Sequence, residues 1–203
     1  NGAFASCPVE VVVFPDGLET IGDGAFAASG ITTAVLPDSL QTAGQRAFSY
    51  CDQLTSVVIG DGLRAVPDSF LFNCESLETA SIGNAVETIG ANAFRSCPSL
   101  RSVTIGDAVT SIGARAFGGT ALTELFLPAR VVSVATDITD RAAELEAVDV
   151  ASGNPHLESV EGLLFNEALT ELLSVPAGRT GRITLPGALT EIPAAAFART
   201  KLS

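Results

Sequence analysis

The chain has 203 residues, 47% of them hydrophobic and 17% charged, and its 23 Asp and Glu against 11 Lys and Arg give a formal net charge of −12. That sign argues against non-specific binding to nucleic acid or anionic membrane, which needs clustered cations. No stretch approaches the roughly 18 uninterrupted apolar residues of a transmembrane helix, and no basic segment followed by an apolar one opens the chain.

Taken in order, the residues fall into one repeating unit. Units begin at the first inward apolar residue, at Val9, Ile31, Leu54, Leu77, Leu100, Leu122 and Leu145, in steps of 22 or 23. Self-similarity at such a period is the signature of a stacked-coil architecture. Inside each unit apolar residues recur at offsets 0, 3 and 5, as in Val9, Val12 and Phe14 or Leu54, Val57 and Ile59. The last two alternate with outward residues, which predicts a short strand. Pro15-Asp16, Pro37-Asp38, Gly60-Asp61 and Gly106-Asp107 then predict a turn, because Pro and Gly stop a strand and Asp satisfies turn backbone. Two apolar residues three apart follow (Leu18 and Ile21, Val86 and Ile89). A small-residue segment then ends in a large apolar plug at Phe4, Phe26, Phe48, Leu71, Phe94 and Phe117. That segment has room for one helical turn.

A unit this short cannot bury its own apolar edge, so stacking must do it. Roughly nine coils with strands about 4.8 Å apart would make a rod or arc about 40 Å long. Residues 136–181 depart from the pattern. Thr136-Asp-Ile138-Thr-Asp140-Arg-Ala-Ala-Glu144 reads as a helix start, and the runs to Phe165 and from Leu169 flank Asn166-Glu-Ala as a hairpin near 160–175. Ile183-Thr-Leu185 to Phe197 restores the repeat. Residues 1–203 therefore read as a single solenoid domain. Its ends, Asn1 to Phe4 and Phe197 to Leu202, read as parts of coils, so a piece of a longer protein is expected.

The unit Leu100-x-x-Val-x-Ile-Gly-Asp-x-Val-x-x-Ile-Gly-x-x-Ala-Phe117, preceded by Ala93-Phe94-Arg-Ser-Cys97-Pro-Ser, resembles the BspA-like leucine-rich repeat. The Asn154-Pro run through Gly162-Leu-Leu-Phe165 to Val175-Pro-Ala-Gly is similar to a hairpin variant of that family. Departures are Phe70-Leu71 for Ala-Phe, Gly30 and Thr120 where Cys is usual, and a lost plug near Thr139. The resemblance implies an α/β repeat solenoid, with short parallel strands on the inner face and turns and short helical segments on the outer. It also implies an extracellular or cell-surface, non-enzymatic protein that adheres to host or other cell-surface proteins.

Cys51, Cys74 and Cys97 lie 23 apart and should stack as a column with Phe197 and the other plugs in the core; Cys7 is the fourth cysteine. No C-x-x-C pair suggests zinc. A ladder of buried thiols stands beside disulfides between adjacent rungs, which the Cα spacing allows. Asp16, Asp38, Asp61, Asn84 and Asp107 form another column, read as turn caps or, with carboxylates about 5 Å apart, as calcium ligands, although a calcium coil needs several acids per turn and each coil here offers one. His156 is the single histidine and has no neighbours for a metal or acid–base site. No P-loop, nucleophile-elbow or zincin motif occurs, so no enzyme and no cofactor is expected.

The outward strand positions are the candidate site. They read Val13, Val35, Val58, Ser81, Thr104 and Phe126 in one column. Glu124 ends a second column of Val11, Thr33, Ser56, Thr79 and Ser102, and Arg101 lies in a third with Glu10 and Glu78. Ordinary strand propensity accounts for Val and Thr there, whereas a docking face accounts for an exposed apolar column, with Phe126 as its anchor. The function expected is macromolecule binding through this face, by a partner protein. The alternative is a structural or scaffold subunit docked on neighbouring subunits by its open solenoid ends.

Overall fold

In the computed structural model, which describes residues 1–135, 137–194, 196–198 and 200–202, alternation within each unit settles which side chains face inward. Ala34 and Leu36, Val57 and Ile59, Ala80 and Ile82 are buried, while their neighbours Thr33 and Val35 or Val58 face solvent. Strands Thr33–Leu36, Ser56–Ile59, Thr79–Ile82 and Ser102–Thr104 pair in parallel with partners 23 residues apart, and Glu124–Leu127 pairs likewise with Ala147–Val150. The wide sheet is unpaired at both 22-residue steps. Val9–Phe14, expected as a strand, is joined to the next coil only at its start, by the Gly30 amide to Cys7 O and the Thr32 amide to Glu10 O. A second, narrow parallel sheet of two-residue strands runs along another side: Ala65–Val66, Thr88–Ile89, Ser111–Ile112 and Ser133–Val134. The coils make a parallel β-solenoid of about 8 turns.

The expected helical segments are absent: no helix occurs among the described residues. Backbone hydrogen bonding supplies the reason. In the return of the second coil the amides of Gly24, Phe26 and Ala28 donate to Gln45, Ala47 and Ser49 of the next coil, at 2.8–2.9 Å. Those between them, Ala25, Ala27 and Ser29, donate within the coil to residues three back. A helix needs every amide for itself; here alternate amides are exported to the neighbouring rung. Two left-handed residues per coil enforce the course, at Gly24 and Ala28, Arg46 and Tyr50, Ser69 and Asn73, Asn92 and Ser96. The stretch after Ala135 is corrected in the same way. Thr136 lies outside the described residues, but 137–144 follows the common return, with Arg141 at φ 62° and the Gly119 amide bonded to Asp140 O.

Plugs pile up as aromatic stacking allows. Phe4, Phe26 and Phe48 are parallel at 5.1 Å between centroids, and Phe94 lies on Phe117 at 5.4 Å. Phe26, Phe48, Leu71, Phe94 and Phe117 are buried, and Phe70 beside Leu71 turns its edge to Phe48 at 5.3 Å. Phe4 differs from expectation: it is 46% exposed. Phe197 is half-buried in a separate cluster with Phe165 and Leu172. Where the plug is lost, buried Ile138 fills the core from the position before Thr139, as Phe70 does before Leu71.

Close approach of rungs explains the switch from Pro to Gly after the strands. A Cβ on Gly83 would lie 2.6 Å from Gly60 O, and one on Gly60 would lie 2.7 Å from Leu36 O.

The hairpin is larger than the sequence suggests. Leu163–Asn166 pairs antiparallel with Leu172–Ser174 and also with Leu157–Val160, through a two-residue turn at Glu161 and Gly162, both at positive φ. After this three-stranded sheet the chain returns to the stack, the Gly178 amide donating to Leu145 O at 2.7 Å, and the solenoid has about 8 turns where nine were expected. The three-stranded sheet seats on the last wide strand, where the Val148 amide donates to Gly162 O at 2.9 Å and the Val150 amide to Ser159 Oγ at 3.3 Å. Leu164 points into the solenoid core, and Leu163 and Phe165 into the second cluster. Buried Asn154 holds the junction. Its Nδ2 donates to Val131 O at 2.9 Å and Pro128 O at 3.4 Å, and its Oδ1 accepts the His156 and Leu157 amides at 2.8 and 3.0 Å.

A candidate binding face

Parallel pairing in register turns each outward position into a column across the rungs. Val35 pairs with Val58, Val58 with Ser81, and Ser81 with Thr104. Val13 is 86% exposed, Val35 63%, Val58 42% and Phe126 58%; Thr104, Arg101 and Glu124 are exposed and Ser81 is half-buried. The face is thus apolar at its first rungs, hydroxyl-lined in the middle, and aromatic at Phe126. Extending the columns one rung adds Glu146, Ala147 and Asp149, with Asp149 the ladder partner of Phe126 and Ala147 that of Glu124. The repeat beginning at Leu145 already carries these acids at offsets 1 and 4, so the period could have found them. Val11, also exposed, flanks Val13.

The other columns serve the stack. Asp38 Oδ1 accepts the Asp61 amide at 2.8 Å, Asp61 Oδ1 the Asn84 amide at 2.6 Å, and Asn84 Oδ1 the Asp107 amide at 3.4 Å. These side chains tie one turn to the next, and no group of three or more metal-ligating side chains is found among the described residues. All four cysteines are free thiols. Cys51, Cys74 and Cys97 donate to the plug carbonyls of Phe26, Phe48 and Leu71 in the preceding coil at 3.0, 3.1 and 3.2 Å. Ser29 and Thr120, both buried, occupy the same column at the two 22-residue coils, so the residue replacing Cys is Ser29 rather than Gly30. Burial pushes the Cys51 thiol above its ordinary pKa, and hydrogen bonding with Cys97 together with burial pushes Cys74 well above it.

His156 is exposed, its amide held by Asn154. Two concavities lie off the face. A cleft of about 700 Å³ runs between Asp137–Ala143, Leu172–Val175 and residues of 193–198, where the Phe column is interrupted. An apolar groove of about 270 Å³ at the first coil is lined by Phe4, Val12, Phe14 and Leu18. No described helix is long and apolar enough to cross a membrane.

Rungs of 22 or 23 residues, a wide parallel sheet open to solvent and a plug column behind it define a leucine-rich-repeat solenoid, a class of generally non-catalytic binding domains that mediate protein interactions. The chain belongs to the BspA-type leucine-rich-repeat family, whose repeat region matches in 6 copies over residues 1–124 and 72–172. None of the curated proteins compared with it is a match. Among solved structures it is similar to the pneumococcal vaccine antigen PcpA, at 18% identity and TM-score 0.64, covering 92% of this chain and 58% of that one. It is similar also to a leucine rich cell surface protein from Faecalibacterium prausnitzii, at 24% identity and TM-score 0.64, covering 93% and 58%. The T. pallidum leucine rich repeat protein TpLRR shares 21% identity at TM-score 0.60, over 69% of this chain and 71% of that one. The chain spans 58% of the length of the first two, and at these identities the likeness is one of fold.

Proposed function

We propose that residues 1–203 act as one non-catalytic solenoid domain that docks a partner protein on its wide sheet face, as an adhesin-type module at the cell surface or outside the cell. The observation that carries this reading is the exposed valines of the first rungs, Val13, Val35 and its ladder partner Val58, with exposed Phe126 at the same outward position further along the face. Single exposed apolar residues are ordinary, but exposed valines side by side on paired rungs mark a contact surface. The description of one structural neighbour as a cell surface protein and of another as a vaccine antigen supports the location. The partner is a host or cell-surface protein.

The test is adhesion of beads carrying the chain to cultured cells and to immobilised extracellular proteins. Phe126→Ala combined with Val58→Asp should reduce adhesion about tenfold or more, the scale of losing an interface anchor, with an unchanged circular dichroism spectrum. Undiminished adhesion removes the sheet face as the site.

A further inference from the structure

We propose that the sheet face takes a cationic, amphipathic polypeptide segment, with apolar residues on the Val35 and Val58 rungs and Lys or Arg against Phe126, Glu124, Glu146 and Asp149. This rests on the reading of the face as a docking surface and adds the chemistry of its occupant. The two ends of the face differ in character. Toward the first coil it presents exposed valines. Toward the hairpin it presents one exposed ring among carboxylates: Glu124 stands two residues before Phe126 on the same side of the strand, Asp149 is the ring's ladder partner, and Glu146 follows one rung beyond Thr123. Among the described residues no ion pair engages Glu124, Glu146 or Asp149. Arg101 is the one cation in the three outward columns, against Glu10, Glu78, Glu124, Glu146 and Asp149.

Unpaired carboxylates on neighbouring rungs repel one another, and a cation between them relieves that repulsion. A Lys or Arg there can also lay its stem or guanidinium on the Phe126 ring. From Val35 to Thr104 is three paired rungs, or about 14 Å, and Phe126 lies one coil further, so a helix of about 13 residues is long enough to reach both ends. The same acids disfavour nucleic acid and anionic lipid. A basic polypeptide with an apolar stripe matches both ends.

The probe is a synthetic helical peptide of about 18 residues, Leu and Lys in amphipathic order, with a Leu and Glu counterpart, measured by fluorescence anisotropy on the whole chain. Glu124→Gln, Glu146→Gln and Asp149→Asn together should weaken Leu/Lys binding about tenfold and flatten its salt dependence. A control triple at exposed positions away from the sheet face, Asp52→Asn, Glu75→Gln and Glu167→Gln, should change it less than about twofold. Equal losses in the two triples, or equal binding of the Leu/Glu peptide, overturn the proposal, because only net charge or greasiness would then be read. Phe126→Ala and Val58→Ser divide the remaining cases. Loss in these with none in the face triple keeps the docking surface and removes its cationic occupant. No loss in any face variant removes both.

Discussion

Replacing Asn154 by Ala strips a side chain that makes four hydrogen bonds where the last regular coils meet the hairpin. Two of its bonds are short and reach buried residues, to Val131 O at 2.9 Å and from the Leu157 amide at 3.0 Å. A third, from the His156 amide at 2.8 Å, is partly buried, and the fourth, at 3.4 Å to Pro128 O, is weak. A buried group left without its partner costs about 1–3 kcal/mol, and a more exposed bond about 0.5–1.5 kcal/mol. The expected loss is about 3–5 kcal/mol, with local opening of 154–166. Urea unfolding followed by circular dichroism gives the free energy, provided the m value is unchanged. Hydrogen exchange at the Leu157 amide reports the local effect. A loss under about 1 kcal/mol with the Leu157 amide still protected would refute the assignment of Asn154 as the junction.

Phe94 lies stacked on Phe117 with no exposed surface, so Phe94→Ala should cost about 3–5 kcal/mol in the same urea assay. Ala28 sits exposed at φ 55°, where a Cβ is strained, so Ala28→Gly should raise stability by about 0.5–1 kcal/mol. Of the four cysteines, half-exposed Cys7 should react quickly with a disulfide reagent at neutral pH, while Cys51, Cys74 and Cys97 wait for unfolding. Because burial raises the folded pKa of Cys51, and hydrogen bonding with Cys97 together with burial raises that of Cys74, their contribution is fully present below the unfolded thiol pKa of about 8.5. It is lost as pH rises above that value toward the folded pKa. A urea midpoint flat from pH 8 to about 10.5 would contradict that burial.

The stacking was legible because it is written as a period. Leu54, Leu77 and Leu100 at equal spacing fix both the register and the inward side. The face was legible for the same reason as far as Phe126, and it continues to Asp149 on the next rung. The course of the return segments was not. Arg46, Tyr50 and Ser69 adopt left-handed backbone without being glycine, because inter-coil hydrogen bonds at those amides outweigh a local cost of about 1–2 kcal/mol. That balance is tertiary, and only some of these positions, such as Gly24, Asn73, Asn92 and Gly119, mark it by residue type. Asn154 escaped for a related reason: its partners Pro128 and Val131 lie 26 and 23 residues earlier. The first strand of the hairpin was readable, since Glu161-Gly162 between Val160 and Leu163 suits a two-residue turn.

In-register stacking of the wide sheet is tested most directly by disulfide trapping on its exposed face. Val35 and Val58 are ladder partners on adjacent parallel strands, about 4.8 Å apart, within the Cα range a disulfide spans. With Cys7 replaced by Ser, Val35→Cys with Val58→Cys should cross-link completely under mild oxidation. Val35→Cys with Ser81→Cys, two rungs away, should remain reduced. Equal cross-linking of the two pairs, or preference for the second, would contradict the stack and the binding face built on it.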